Sequence, residues 1–369
     1  MQMNDVKAHI EKLIAELNIP YFEIIVSKGH EEVYHQTIKR PEDAGKNRLY
    51  MYSCTKPLTA TVALRLIQEG KMSLEDKVAD YIPEANDAYV LNEDGSRNVV
   101  GHTMTIRHLL TMSAGFNYNR GTPWIKELLK DGYEPTSLEL TKAYFKAPLD
   151  FVPGARFQYS VCHDVLGTII ELITGMRLSE YIKQIITEPL GMKDSSFAVP
   201  PEEVTLPLYD PTDDGYVEVP LSQAMVFPKK RFDSGGSGLV STMEDYAKFA
   251  RALANDGTGP DGYSMLSAES VKALRNEEIS SGNVQNKFTC VQGADYSYGL
   301  GVRTRTRETE WGLGVGEFGW DGMSGSYLMV DPNTHISIVM GLHIRSWPRY
   351  FKGRHMEIVE LIYRAMGVK

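Results

Sequence analysis

Residues 50–66 read YMYSCTKPLTATVALRL. A serine stands three places before a lysine, Ser53 and Lys56, and behind Pro57 the apolar residues Leu58, Val62 and Leu66 recur at helical spacing. A proline is tolerated only in the first turn of a helix, where its missing N–H has no partner to lose, so Pro57 fixes the helix start. Three residues make nearly one turn, which puts the Ser53 hydroxyl and the Lys56 ammonium on one face. A serine hydroxyl is a poor nucleophile until a neighbour takes its proton, and a desolvated lysine tuned towards neutrality can do that. The N-terminal end of the helix dipole disfavours extra charge on Lys56 and offers the Ser53 N–H to a developing oxyanion. A helix-capping serine beside a solvated lysine fits the same letters. Spacing alone leaves both readings open, because about one S-x-x-K match is expected by chance in a chain of this composition.

The chain around this motif has 369 residues, 42% of them hydrophobic, and a net charge of -9. That is enough apolar material for one large domain or two ordinary ones, and it excludes a disordered chain. The acidic balance removes the electrostatic drive for non-specific nucleic-acid binding, so no nucleic-acid partner is expected. Near the N-terminus, Val6, Ile10, Leu13, Ile14 and Leu17 trace an amphipathic helix interrupted by acids, not an export signal. No apolar run approaches the roughly 20 residues of a membrane span. A cytoplasmic location away from membranes is expected. Cys54, Cys162 and Cys290 are odd in number and widely spaced, which fits reduced, mostly buried thiols better than disulfides or a zinc site. Because Cys54 adjoins Ser53, sensitivity to thiol reagents by steric block is also expected.

Along the chain, PYFEIIVSKGHEEVYHQTIK reads as a hairpin turning at Lys28-Gly29. The pattern is then mostly helical to about residue 255, where Ser241 and Glu244 form a capping box for the last helix of that stretch. Strand patterns return in YSYGLGVRT, SGSYLMVDP and HISIVMGLHI, and GRHMEIVELIYRAMG closes the chain as a helix. Strands at both ends predict one sheet assembled from the two termini, residues 1–52 and 290–369, with a mainly helical domain, 53–289, inserted between them. Residues 84–104, 116–136, 200–233 and 274–295 read as loops that rim a cleft.

Two further motifs carry chemistry. In PGARFQYSVCHDVLG, residues 153–167, a Pro-Gly turn delivers Tyr159 just ahead of an apolar helix. A phenol beside a lysine can relay a proton, though packing alone also explains a tyrosine there. In GEFGWDGMSGSYLMVDP, residues 316–332, glycines bracket Trp320 at the start of a strand, as a substrate lying along an edge strand would require. A simple turn fits equally well.

Taken together, the order, spacing and local sequence of the three motifs resemble the serine β-lactamase and penicillin-binding-protein-like superfamily, in its class C β-lactamase-related branch. The resemblance runs over nearly the whole chain and includes TIRHLLTMSAGF, EPLGMKDSSF and SGGSGLVSTMEDYAKFARAL. It implies an α+β fold, an antiparallel sheet flanked by helices plus a mainly helical domain, with the active site at their junction. It further implies acyl-enzyme formation at Ser53, with Lys56 and Tyr159 sharing the proton transfers and the Met323 N–H serving as second oxyanion donor.

Two departures point to a branch. The superfamily's usual Y-x-N has Val161 in its third place, followed by Cys162, His163 and Asp164, and the usual K-T-G or H-x-G is Trp320-Asp321-Gly322. The amide that holds a β-lactam side chain and the cation that pairs with a penicillin carboxylate are both missing. This is similar to the family VIII carboxylesterases and related acyltransferases. Asp164 then stands either as the polar partner near Tyr159 and Lys56 or as a cap of the following helix, and Trp320 and Gly322 line the substrate site. His163 is expected to pack. An α/β-hydrolase would need G-x-S-x-G, and GGSGL and GMSGS both fail at the fifth place. GVGEFG matches G-x-G-x-x-G without a strand–helix unit, and no H-E-x-x-H or Cys/His cluster suggests a metal, so no cofactor is expected. The expected reaction is hydrolysis or acyl transfer on a small ester or amide. A β-lactamase or a D-Ala-D-Ala-type or D-amino-acid peptidase is the alternative, and an inactive binding or scaffold member of the superfamily the second alternative.

Overall fold

Strand-forming residues from the two ends of the chain meet in one seven-stranded sheet. The structure is a computed structural model that describes residues 2–119, 121–224, 231–276, 278–279, 295–346, 351 and 353–368. The N-terminal part supplies β1 (Tyr21–Lys28) and β2 (Glu31–Lys39), with Gly29 at φ +58° taking the left-handed turn between them. The C-terminal part supplies β3 (Tyr296–Tyr298), β4 (Arg303–Arg305), β5 (Phe318–Asp321), β6 (Tyr327–Asp331) and β7 (Ile336–Gly341). The order is β2-β1-β7-β6-β5-β4-β3, and every neighbouring pair is antiparallel. β1 joins the two contributions by pairing with β7, from Glu23 opposite Gly341 to Lys28 opposite Ile336.

Both faces of this sheet are covered, which the period-2 pattern records directly. Phe22, Ile24 and Val26 of β1 and Ile336, Ile338 and Met340 of β7 share one core with helices α1 (Met3–Glu16) and α5 (Arg354–Met366). Val6, Ile10, Leu13 and Ile14 are the buried stripe of α1, matching the amphipathic pattern. On the opposite face Ile25, Leu328, Val330 and Val339 pack with three further helices: α2 (Lys56–Gln68), α3 (Cys162–Thr174) and α4 (Met243–Ala254). The antiparallel sheet flanked by helices is thus as expected. No described helix is long and apolar enough to cross a membrane.

Several local expectations shift. Helix α4 is capped by Thr242, whose hydroxyl accepts from the Asp245 N–H at 3.1 Å, so its cap lies one residue beyond the expected Ser241–Glu244 box. Ser241 is unavailable because Val240–Ser241 pairs with Leu49–Tyr50 as a two-stranded ribbon. Two stretches read as loops contain ribbons of their own, Tyr89–Leu91 with Arg97–Val99 and Leu208–Pro211 with Tyr216–Val219, and Thr122–Leu128 forms a helix within a third. Most of the fourth, together with Cys290, lies outside the described residues. Trp320 belongs to an interior strand, not an edge, since β5 has β4 on one side and β6 on the other.

The β5–β6 pairing depends on a glycine. A Cβ on Gly319 would sit 1.8 Å from the Leu328 carbonyl oxygen, a backbone atom of the adjacent strand that has no room to withdraw. Gly319→Ala is therefore expected to destabilise the fold by about 1–3 kcal/mol or more. Urea unfolding of the variant beside the wild type measures it; equal midpoints would refute the close approach.

Candidate active site

Ser53 lies in a single 3-10 turn, Tyr52–Thr55, that runs directly into α2. The residue before it, Tyr52, adopts φ +46°, a left-handed conformation disfavoured for an aromatic residue and held here by its surroundings. Ser324 Oγ donates to the Tyr50 carbonyl and Ser326 Oγ to the Met51 carbonyl, each at 2.9 Å, while the Tyr50 N–H donates to His343 Nε2 at 3.1 Å. These bonds tie the turn after β5 to the backbone that delivers Ser53. Gly322, at the first position of that turn, has no space for a side chain: a Cβ would lie 1.9 Å from Ser326 Oγ and 2.4 Å from the Met51 carbonyl oxygen. Met323 follows it, 43% exposed. Among the described residues, no hydrogen bond takes up the backbone N–H of Ser53 or of Met323.

Lys56 is the first residue of α2 and is fully buried. Its ammonium donates to Ser53 Oγ at 3.2 Å and to the Gly236 carbonyl at 2.8 Å. Burial pushes it down to about 8, opposed by the negative charge of nearby Asp164. Ser53 does not cap α2, whose N-cap position is Thr55. The capping alternative for Ser53 is therefore set aside.

Asp164 projects from the first turn of α3 but does not cap that helix either. Its Oδ1 accepts from Ser234 Oγ at 2.6 Å and from the Gly236 N–H at 3.1 Å. Gly236 thus binds the carboxylate through its N–H and Lys56 through its carbonyl. A Cβ on Gly236 would lie 3.1 Å from Asp164 Oδ2 and 3.4 Å from Lys56 Nζ, so a side chain there would crowd both. Burial raises the Asp164 carboxyl, and the Ser234 hydroxyl, the Lys56 charge and the Gly236 N–H work in the other direction.

Tyr159, half-buried, lays its ring beside the lysine, with Lys56 Nζ 4.6 Å from the ring centroid. Its hydroxyl accepts from Trp320 Nε1 at 3.2 Å, and the two rings are 5.4 Å apart. Tyr118 on one side and Tyr298 on the other extend an aromatic wall, at 5.8 Å from Tyr159 and 5.3 Å from Trp320. The structure therefore brings Ser53, Lys56, Tyr159, Asp164 and Trp320 into one contact network, with Gly322 and Met323 beside the Ser53 turn. His163 is buried and packs, its pKa held well below the usual histidine range by burial and by the Lys56 charge.

Sequence reasoning missed the 234–239 loop as a neighbour of Lys56 and Asp164. Gly236 acts through its backbone, Thr59 Oγ1 donates to the Gly235 carbonyl at 2.8 Å, and the Leu239 N–H donates to Thr55 Oγ1 at 3.0 Å. The glycine-rich SGGSG was the available signal. Among the described residues, one group of possible metal ligands occurs, Glu23, His35 and Glu244, and it includes no residue of the Ser53 network. His35 Nε2 and Glu23 Oε1 already meet there at 2.8 Å, as a hydrogen-bonded pair.

Cys54 corrects an expectation. It is fully buried, its Sγ lies 3.6 Å from the Trp320 carbonyl oxygen, and burial pushes the thiol up to about 12. Such a thiol carries almost no thiolate and offers no access, so steric block by a reagent is not expected. Peptide mapping after iodoacetamide treatment of the native protein should find Cys54 and Cys162 unmodified; labelling of Cys54 without unfolding would contradict this. Lys56 makes a second prediction. Its folded value of about 8 lies below the unfolded value near 10.5, so between them the unfolded chain holds a proton that the folded chain lacks, and stability rises with pH. Wild type should gain on Lys56→Met by up to about 1.4 kcal/mol per pH unit across that window, as read by urea unfolding at several pH values. A flat difference would show that Lys56 is not so depressed.

Comparison with known proteins identifies the family and the fold. A family model described as Beta-lactamase matches residues 6–361. The chain is 32% identical over 234 residues to the esterase EstB of Burkholderia gladioli, an alignment that covers 57% of this chain and 58% of that protein, so it spans little more than half of that relative's length. Among solved structures, EstCE1, described as a hydrolase with promiscuous acyltransferase activity, superposes with a TM-score of 0.80 at 21% identity, covering 98% of each chain. The octameric penicillin-binding protein homologue from Pyrococcus abyssi superposes at 0.74 with 23% identity, over 100% of this chain and 78% of that one. The sheet between its helical layers is accordingly the β-lactamase/transpeptidase-like fold, and the chain belongs to the β-lactamase family.

Proposed function

We propose that the protein is a serine hydrolase of the esterase branch, forming an acyl-enzyme at Ser53 and acting as a carboxylesterase or acyltransferase on small esters. The observation that carries this is the buried Lys56 ammonium, 3.2 Å from Ser53 Oγ and brought down to about 8. A lysine so placed supplies a neutral amine near physiological pH at the hydroxyl it must deprotonate.

In the proposed sequence Ser53 Oγ attacks the ester carbonyl carbon as its proton passes to the Lys56 amine. The carbonyl oxygen, now negative, lies between the N–H groups of Ser53 and Met323, neither of which has another acceptor among the described residues. Collapse of the tetrahedral intermediate breaks the bond to the leaving alcohol, which takes a proton from the Lys56–Tyr159 pair. Water or a second alcohol then attacks the acyl carbon as its proton passes to that pair, and the pair returns a proton to Ser53 Oγ as the bond from Oγ to the acyl carbon breaks. Hydrolysis and acyl transfer differ only in which acceptor arrives.

Trp320 and Val161 support the ester reading over the lactam one. Trp320 occupies the place of a cation with a neutral ring, and its N–H is taken by Tyr159. Val161 is 1% exposed and presents no amide. The esterase EstB among the relatives points the same way.

The test is hydrolysis of p-nitrophenyl butyrate and of nitrocefin by wild type and Ser53→Ala. Ester turnover by wild type is expected to rise with pH through about 8 as Lys56 loses its proton. It should fall by at least ~10³ in the folded variant, with little nitrocefin cleavage by either. Full activity in folded Ser53→Ala would refute the nucleophile, and fast nitrocefin turnover would refute the branch.

A further inference from the structure

The serine-hydrolase reading gives Tyr159 a share in proton transfer and leaves Trp320 as part of an aromatic wall. We propose that Trp320 is a positioning residue for that transfer: its indole N–H fixes the Tyr159 hydroxyl as an acceptor on one side and so turns the phenolic proton away from Trp320, into the cleft shared with Ser53 and Lys56. This inference rests on the proposed acyl-enzyme chemistry and deepens it.

The chemistry of the two groups leaves one arrangement. An indole nitrogen is a donor only, so at 3.2 Å the phenolic oxygen must accept. A phenol carries one proton, and with the Trp320 side occupied by an incoming N–H that proton points elsewhere. Donation to the oxygen also favours its negative form, as does Lys56 Nζ over the ring at 4.6 Å. Tyr159 is therefore held by a dipole at its oxygen and a cation at its face, an arrangement suited to gaining and losing a proton within one turnover.

Trp320 is itself unable to swing away. It is 5% exposed, paired opposite Leu328 in the interior strand β5 and packed edge-on against Tyr298, 5.3 Å away at 76°. Its carbonyl lies 3.6 Å from the sulfur of Cys54, the residue that follows Ser53. One residue thus holds the proton relay through its side chain and touches the nucleophile's turn through its backbone.

The experiment is a double-mutant cycle on p-nitrophenyl butyrate hydrolysis, with pH profiles of kcat/KM. Wild type and Ser53→Ala are measured first. Activity that does not depend on Ser53 would overturn the underlying reading, whatever Trp320 does. Given Ser53-dependent turnover, Trp320→Phe is expected to lower kcat about tenfold, the usual size of one lost hydrogen bond, with little change in KM. It should also move the rising limb of the profile upward by about half a pH unit, because the Lys56–Tyr159 pair loses its proton less readily. In a Tyr159→Phe background the same substitution should cost less than twofold. Replacement of Trp320 by benzothienylalanine, which keeps the ring shape and lacks only the N–H, should reproduce both effects and guards against a Trp320→Phe variant that fails to fold. Equal losses in the two backgrounds, or an unmoved limb with the isostere, would overturn the proposal and leave Trp320 as packing.

Discussion

A lysine nitrogen without water is the constraint to which the rest of this site answers. Burying Lys56 disfavours its charged form, and the fold answers with contacts that come from far along the chain: the Gly236 carbonyl, the Tyr159 ring and, through Gly236, the Asp164 carboxylate. Burial moves Lys56 downward and Asp164 upward, so each drifts towards its neutral form, and Gly236 contacts both, the carboxylate through its N–H and the lysine through its carbonyl. The position of Ser53 follows from this. Its turn is locked to the same lysine on one side and to the β5–β6 connection on the other.

How much of this was legible in the sequence depends on how local each interaction is. Ser53 and Lys56 lie three residues apart on one helical turn, so their meeting followed from helix geometry alone. Tyr159 and Trp320 lie in separate motifs, and nothing in either motif tells that an indole N–H reaches a phenolic oxygen; that contact needs α3, which follows Tyr159, and β5, which carries Trp320, both to pack against α2. The role of Gly236 was hidden for another reason. It acts by carbonyl and N–H groups that every residue owns, so only the demand for a missing side chain left a trace, in SGGSG. Small errors had similar causes. Ser241 and Thr242 both qualify as caps by residue type, and the choice was made by a ribbon with Leu49–Tyr50 that no local rule foresees. The sheet itself was readable because its strands alternate apolar residues that pack on both faces. β5 escaped notice because it is short and carries a glycine in its middle.

The groups around Ser53 are more neutral than the family's name suggests. Where a carboxylate-bearing substrate would need a cation, the wall is Tyr118, Tyr159, Trp320 and Tyr298, and the one cation in the network, Lys56, is buried and committed to Ser53 and Gly236. Aromatic faces favour apolar or weakly polar groups and reward flat contact. On the proposed reading, an uncharged acyl group has the least to lose in such a place.

The pairing of β1 with β7 has a consequence for how the protein is made. During translation β1 emerges long before its partner strand β7, and until β7 follows it has an open edge and the apolar residues Phe22, Ile24 and Val26 without their partners. The helices around Lys56 can gather first, because their contacts are closer along the chain. The turn that carries Met323 arrives only with the closing strands. The nascent chain therefore acquires Ser53 and Lys56 well before it acquires Gly322 and Met323, and a chain cut short between them would hold the Ser53 turn without the Ser324 and Ser326 bonds that tie it down.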